Sequence, residues 1–244
     1  MNRTSLKHFA IATLLSAGST SICWSAPLEI GALNFPPYYV VENGATVAGG
    51  EFVDYLKKLF AKAGIDYVFK GYPARRLYAN VADGTTQIWM GTLGVPEYEG
   101  KTLISPQKIT DINLEVYGSG PVDALPKTIN DLKGKSVATI RGYTYGGLLA
   151  KLEDPQNSIK LSAVTEHKAA FQMLQAGRVD YVLDYIEPAT ETLNTLTVPG
   201  INKRSWMVLG IYIHVSKMTP DAQTVMNKLM KAHDELKTDG KKKM

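Results

Sequence analysis

Past Pro27 the chain alternates short apolar runs with amphipathic stretches, and no other feature limits its fold as much. Strands separated by helical segments are joined most simply as parallel neighbours, because a parallel pair needs a crossover that a helix supplies. Residues 28–33 read as a buried strand, and 51–63 carry Phe52, Tyr55, Leu56, Leu59 and Phe60 at helical spacing before a stop at Gly64. A strand at 67–69, a helix at 75–82 closed by Asp83-Gly84 and a strand at 87–90 complete a β-α-β-α-β series. A second series begins after the Gly118-Ser119-Gly120-Pro121 break. Thr128 and Asp131 form a capping-box pattern ahead of a strand at 136–140, a helix at 143–152 and a strand at 159–161. A helix at 168–175 stopped by Gly177, a strand at 181–183 and a helix at 188–196 follow. Long apolar strands at 109–117 and 207–215 lead out of the first series and back, and Thr219-Pro220 opens a last helix. The expectation is an α/β protein of two lobes crossed twice by the chain, with a cleft between them. The first lobe covers 27–113, the second 114–207, and a return strand and C-terminal helix over 208–244 rejoin the first.

The 244 residues suffice for two such lobes, and 45% hydrophobic with 20% charged residues excludes a disordered or collagen-like chain. The net charge of +4 is scattered except for Lys241, Lys242 and Lys243, so no nucleic-acid partner is expected. Residues 1–26 read as a secretory signal peptide: Arg3, Lys7 and His8 make a positive start, 9–17 an apolar stretch, Ser25 and Ala26 a small-residue exit. That stretch is shorter than the roughly 20 residues of a membrane helix. The single cysteine, Cys23, falls inside the 1–26 leader, after an Ile22 that is bulky for a lipid-attachment site. The exported chain, expected in the periplasm, then has no thiol, which excludes disulfides, thiolate metal sites and a cysteine nucleophile.

No nucleophile or metal pattern emerges. His8, His167, His214 and His233 are not paired at three- or four-residue spacing, there is no Gly-x-Ser-x-Gly, and Gly142 with Gly146 and Gly147 lacks the Lys-Ser/Thr of a phosphate loop. No catalytic residue, metal or cofactor is expected. Aromatic and polar residues do gather just after strands, where open α/β sheets bind ligands. They are Asn34-Phe35-Pro36-Pro37-Tyr38-Tyr39, Gly91-Thr92-Leu93-Gly94 and Arg141-Gly142-Tyr143-Thr144-Tyr145. Stiff aromatics supply contact area at low entropy cost, and a helix starting near Thr144 would offer free N–H groups to an anion. For each aromatic alone, packing in the core is an equal reading.

Five stretches carry a resemblance in order along the chain. They are Phe35-Pro36-Pro37-Tyr38, the run from Asp131 to Val137, Arg141-Gly142, the run from Leu174 to Asp180, and the run from Glu235 to Gly240. In these the chain resembles bacterial extracellular solute-binding proteins of family 3, the periplasmic receptors of amino-acid-type ABC transporters. The resemblance implies the two-lobe type II periplasmic-binding fold with two hinge crossings, a small-molecule ligand in the cleft, a monomer, no enzymatic activity and a membrane permease as partner. It also implies an arginine after the third strand for the ligand carboxylate and an aspartate for its ammonium. Tyr98 or Glu99 and Tyr185 stand there instead. The ligand is accordingly expected to be a polar, amino-acid-like or organic-anion solute. Phe35, Tyr38 and Tyr145 are expected as aromatic walls, Thr92 and Thr144 as hydrogen-bonding groups, Arg76 and Arg141 as anion holders, and Asp184 or Tyr185 for a cationic or hydroxyl group. Asn34, Gly91 and Tyr143 complete the set. A ligand sensor for a membrane signalling protein and a dehydratase-like enzyme on the same scaffold are the alternative readings.

Overall fold

The computed structural model describes residues 26–241, so the expected signal peptide up to Ser25, with Cys23, and Lys242 and Lys243 lie outside the described residues. The first series contains β1 (Leu28–Ala32), β2 (Val40–Glu42), β3 (Thr46–Gly49), α1 (Glu51–Ala63), β4 (Tyr67–Gly71), α2 (Ala74–Asp83), β5 (Ile88–Thr92) and β6 (Thr102–Ile104). A long strand, β7 (Thr110–Ser119), leads to β8 (Ser136–Ile140), α3 (Leu148–Leu152), β9 (Lys160–Val164), α4 (His167–Gln175), β10 (Tyr181–Tyr185) and α5 (Ile186–Leu193). The chain returns through β11 (Ile201–Ser216) and ends in α6 (Ala222–Lys241).

One sheet runs through both halves in the order β4-β1-β5-β11-β7-β10-β8-β9, with β6 also on β11. Its wings are parallel, as the alternation predicts: β1 pairs β4 and β5 in one, and β8 pairs β9 and β10 in the other. The middle is antiparallel. β7 and β11 pair from Ile201↔Ser119 to Ile211↔Thr110, with a bulge between Ser205 and Met207, and form a two-stranded ribbon that carries the chain across. β11 is thus longer than the expected 207–215 strand, and its second half docks on β5 from Ile211↔Thr92 to Val215↔Ile88. Among the described residues no helix is long and apolar enough to cross a membrane.

The helices follow their apolar faces. α1 buries Phe52, Val53, Leu56, Leu59 and Phe60, and Gly64 ends it in a left-handed turn whose N–H reaches back to Phe60 and Ala61. Thr128 and Asp131 form the expected capping box, over a 3-10 turn at Ile129–Leu132. The helix expected at 143–152 is mostly absent. Tyr145, Gly146 and Gly147 all take positive φ, at 51°, 66° and 90°, so helical geometry starts only at Leu148. The free helix N-terminus expected near Thr144 does not form.

Candidate ligand-binding site

Loops at the carboxyl ends of β1, β5, β8 and β10 meet where the two wings face each other across the ribbon. The loop after β1 is folded back by paired bonds between Phe35 and Tyr39 (2.9 and 2.8 Å). Its carbonyls at Pro37 and Tyr38 accept from the first free N–H groups of α1 at 3.1 Å each, which seats Tyr38 on Phe52 and Phe35 against Tyr38. From the opposite lobe come Tyr143, after β8, and Tyr185, at the end of β10. Phe35 lies 5.3 Å from the Tyr143 ring and 5.1 Å from the Tyr185 ring, both edge-on, the arrangement that aromatic quadrupoles favour.

Two hydroxyls cross between the lobes. Tyr143 donates to the Asn34 carbonyl at 3.2 Å, and Tyr78 of α2 donates to the Gly142 carbonyl at 3.2 Å. The backbones also touch. A Cβ on Gly94 would stand 2.5 Å from the Gly146 oxygen and the Gly147 nitrogen, and one on Gly142 would stand 2.7 Å from Ala74 Cβ. Only glycines permit this approach, and Gly94 and Gly142 further hold φ at 76° and 85°.

Between these contacts lies a cavity of about 40 Å³, whose walls include Phe35, Thr92, Tyr143, Thr144 and Tyr185 with Gly91 at the β5 end. Two wider grooves of about 680 and 610 Å³ flank the Ala74–Gly142 contact, and Arg75 and Arg141 line both. Arg141 is exposed and anchored by one bond from Nη2 to the Ala163 carbonyl at 2.9 Å.

Several expected residues therefore do other things. Tyr145 is fully buried, accepts from Ile140 N at 2.6 Å and donates to the Leu183 carbonyl at 3.2 Å, so it ties β8 to β10 and backs the site from behind, stacked on Tyr185 and edge-on to Tyr143. Tyr38 packs behind Phe35, on Phe52, instead of on the cavity. Asp184 is fully buried and already engaged: Oδ2 accepts from His167 Nδ1 at 2.7 Å and Oδ1 from Tyr185 N at 2.8 Å. Burial pushes its carboxyl up and the His167 contact pulls it back. Arg76 is exposed and lies outside both grooves; its neighbour Arg75 takes the place at the mouth.

Sequence reasoning missed Tyr78, Trp89, Arg75 and His167. His167 Nε2 lies 3.3 Å from the Tyr143 hydroxyl while Nδ1 faces Asp184. The signal for His167 was its place at the start of a helix directly after a strand. Burial raises the phenols of Tyr143, Tyr145 and Tyr185 well above their ordinary value, and for Tyr38 the nearby Glu187 carboxylate adds to burial, so these hydroxyls remain donors. Among the described residues no group of three or more His, Cys, Asp or Glu is placed to hold a metal.

No family model matches the chain, and no curated protein matches it. Solved structures do. The chain is similar to an ancestral arginine-binding protein bound to arginine, at 22% identity and a TM-score of 0.68, over 88% of this chain and 93% of that one. A histidine kinase sensor domain with similarity to periplasmic binding proteins matches at 16% identity and 0.69, over 88% and 92%. The substrate binding protein of an amino acid ABC transporter matches at 19% and 0.65, over 88% and 95%. At such identities the likeness is one of fold: two α/β lobes joined by a two-stranded ribbon, as in periplasmic binding proteins.

Proposed function

We propose that this protein is an exported solute receptor of the family 3 kind, a periplasmic monomer that captures a small polar solute between its lobes and presents the closed shape to a membrane permease. The observation that carries the reading is the meeting of Phe35 from one lobe with Tyr143 and Tyr185 from the other, at strand ends and beside the ribbon that joins the lobes. A ligand touching both lobes binds the closed form better than the open one and shifts the hinge equilibrium by that difference. A second reading, a sensor domain feeding a membrane signalling protein, draws on the likeness to the histidine kinase sensor domain. Enzymatic use has less support, since of the two carboxyls that burial pushes up, Asp184 is fully buried and tied to His167, and Glu115 is buried on β7.

Unmodified α-amino acids are expected to be poor ligands. Tyr98 is buried against Tyr78, Trp89 and His214, Glu99 is exposed, and neither supplies the charge a carboxylate needs. A thermal-shift screen over amino acids, polyamines, organic acids and aromatic metabolites identifies the solute class, because a ligand of the folded state raises Tm. Small-angle scattering then reads the lobes. A solute that raises Tm while leaving the scattering profile unchanged refutes capture by lobe movement.

A further inference from the structure

We propose that the lobes close on an anion held between Arg75 and Arg141, outside the aromatic contact and in the grooves beside it; this rests on the reading of the protein as a receptor that closes. The contact of Ala74 with Gly142 is one of the places where the lobes touch. Arg75 directly follows Ala74 and Arg141 directly precedes Gly142, so closure brings two guanidinium groups of opposite lobes to one contact. They line the same two grooves. Neither makes an ion pair among the described residues, although Glu97 and Glu153 line one groove and Glu166 the other. Arg75 has no hydrogen-bond partner there either, and Arg141 gives up only one donor, to Ala163.

Like charges brought together in this way oppose closure until a counter-charge sits between them. A guanidinium offers five donors in a planar fork, so two of them lining one groove suit a compact dianion with several oxygens, whether a dicarboxylate or a tetrahedral oxyanion. The smaller groove adds the Asn34 and Tyr143 side of the interlobe bond and the His167 ring as further polar lining. An anion there touches both lobes and none of the aromatic rings need part. Binding and closure are thereby coupled, and the groove, unlike the small central cavity, has the volume of an ordinary ligand site.

The test titrates the protein calorimetrically with sulfate and, separately, with succinate, against chloride at constant ionic strength. Either or both should bind. Arg75→Ala and Arg141→Ala should each weaken that binding roughly ten- to hundredfold, the worth of a charge-assisted bond, while Arg76→Ala leaves it unchanged. In chloride alone, Arg75→Ala should scatter as a more closed molecule than the wild type, because one of the two repelling charges is gone. Tighter sulfate than succinate assigns a tetrahedral oxyanion, and the reverse a dicarboxylate. Binding that survives both arginine substitutions, or no binding of either anion beyond chloride, overturns the proposal. If a solute from the screen still moves the lobes in that case, the receptor reading stands without it; if nothing moves them, both fall.

Discussion

Replacing Gly94 by alanine tests the closed arrangement most directly. The residue holds φ at 76°, so any Cβ there carries the left-handed penalty of about 1–2 kcal/mol whatever the lobes do. The new methyl would also stand 2.5 Å from the Gly146 oxygen and the Gly147 nitrogen, backbone atoms of the other lobe that cannot swing aside as a side chain could. Overpacking of this kind costs about 1–3 kcal/mol, and here only the closed form bears it. The ratio of closed to open molecules should fall by roughly 5- to 150-fold. Gly134→Ala separates the two effects, since Gly134 has nearly the same φ, 74°, and nothing within 4 Å of the added carbon. Both variants should lose similar stability in chemical denaturation. Small-angle scattering should show a larger radius of gyration for Gly94→Ala alone. If the two variants scatter alike, the lobes do not meet at Gly94 in solution and the closure argument fails.

Tyr143→Phe and Tyr78→Phe each remove a hydroxyl bridging the lobes, so each should lower closure by about 1 kcal/mol, with the double variant near the sum because the carbonyls differ; scattering of the three proteins measures it. Burial holds the His214 imidazole down to about 4 from 6.5, so the unfolded chain takes up that proton first. Stability should be complete above pH 6.5 and fall as the pH drops towards 4, by an amount on the order of 3 kcal/mol that disappears in His214→Phe; urea midpoints against pH read it. Gly31→Ala would drive a methyl into Leu77 and to 2.8 Å from Thr86 Cγ2, and should cost about 1–3 kcal/mol of stability without altering the lobe equilibrium.

Much of the architecture is legible because its elements obey local rules. α1 starts and stops where its apolar face and Gly64 say, and the alternation of strands with helices correctly implies parallel wings. Legibility ends where backbone geometry overrides side-chain pattern. Residues 143–152 have amphipathic spacing, yet two successive glycines let the chain turn left-handed and bring it within touch of Gly94. The antiparallel centre is equally hidden, since a buried strand reads the same in either direction. Of the site, the sequence marks which loops gather and not what each side chain does there. Successive residues on a helix point about 100° apart, so of two adjacent arginines only one can face the grooves, and choosing between Arg75 and Arg76 needs the rotation of α2. Asp184 looks available in one dimension because His167, which engages it, lies 17 residues away.

The contacts also order the events of capture. A buried water needs roughly 10–15 Å³ of such space, so a cavity of about 40 Å³ admits a few waters and no solute. Entry to the strand ends must therefore pass through an open form, and a solute bound there has to take over contacts that Phe35 makes with Tyr143 and Tyr185. Its apparent affinity is reduced by the fraction of molecules already closed on themselves. A solute bridging Arg75 and Arg141 faces no such competition, because it adds to the closed contacts instead of replacing them. Measured from the empty closed form, the two modes differ in aperture: a central ligand bridges the lobes with the rings held slightly apart, and a groove ligand draws the arginines together. The sign of the change in radius of gyration on binding thus tells which surface a solute uses. It also bears on the partner. A permease must receive the solute when the lobes part, whereas a signalling domain needs only a difference in aperture, which either mode provides.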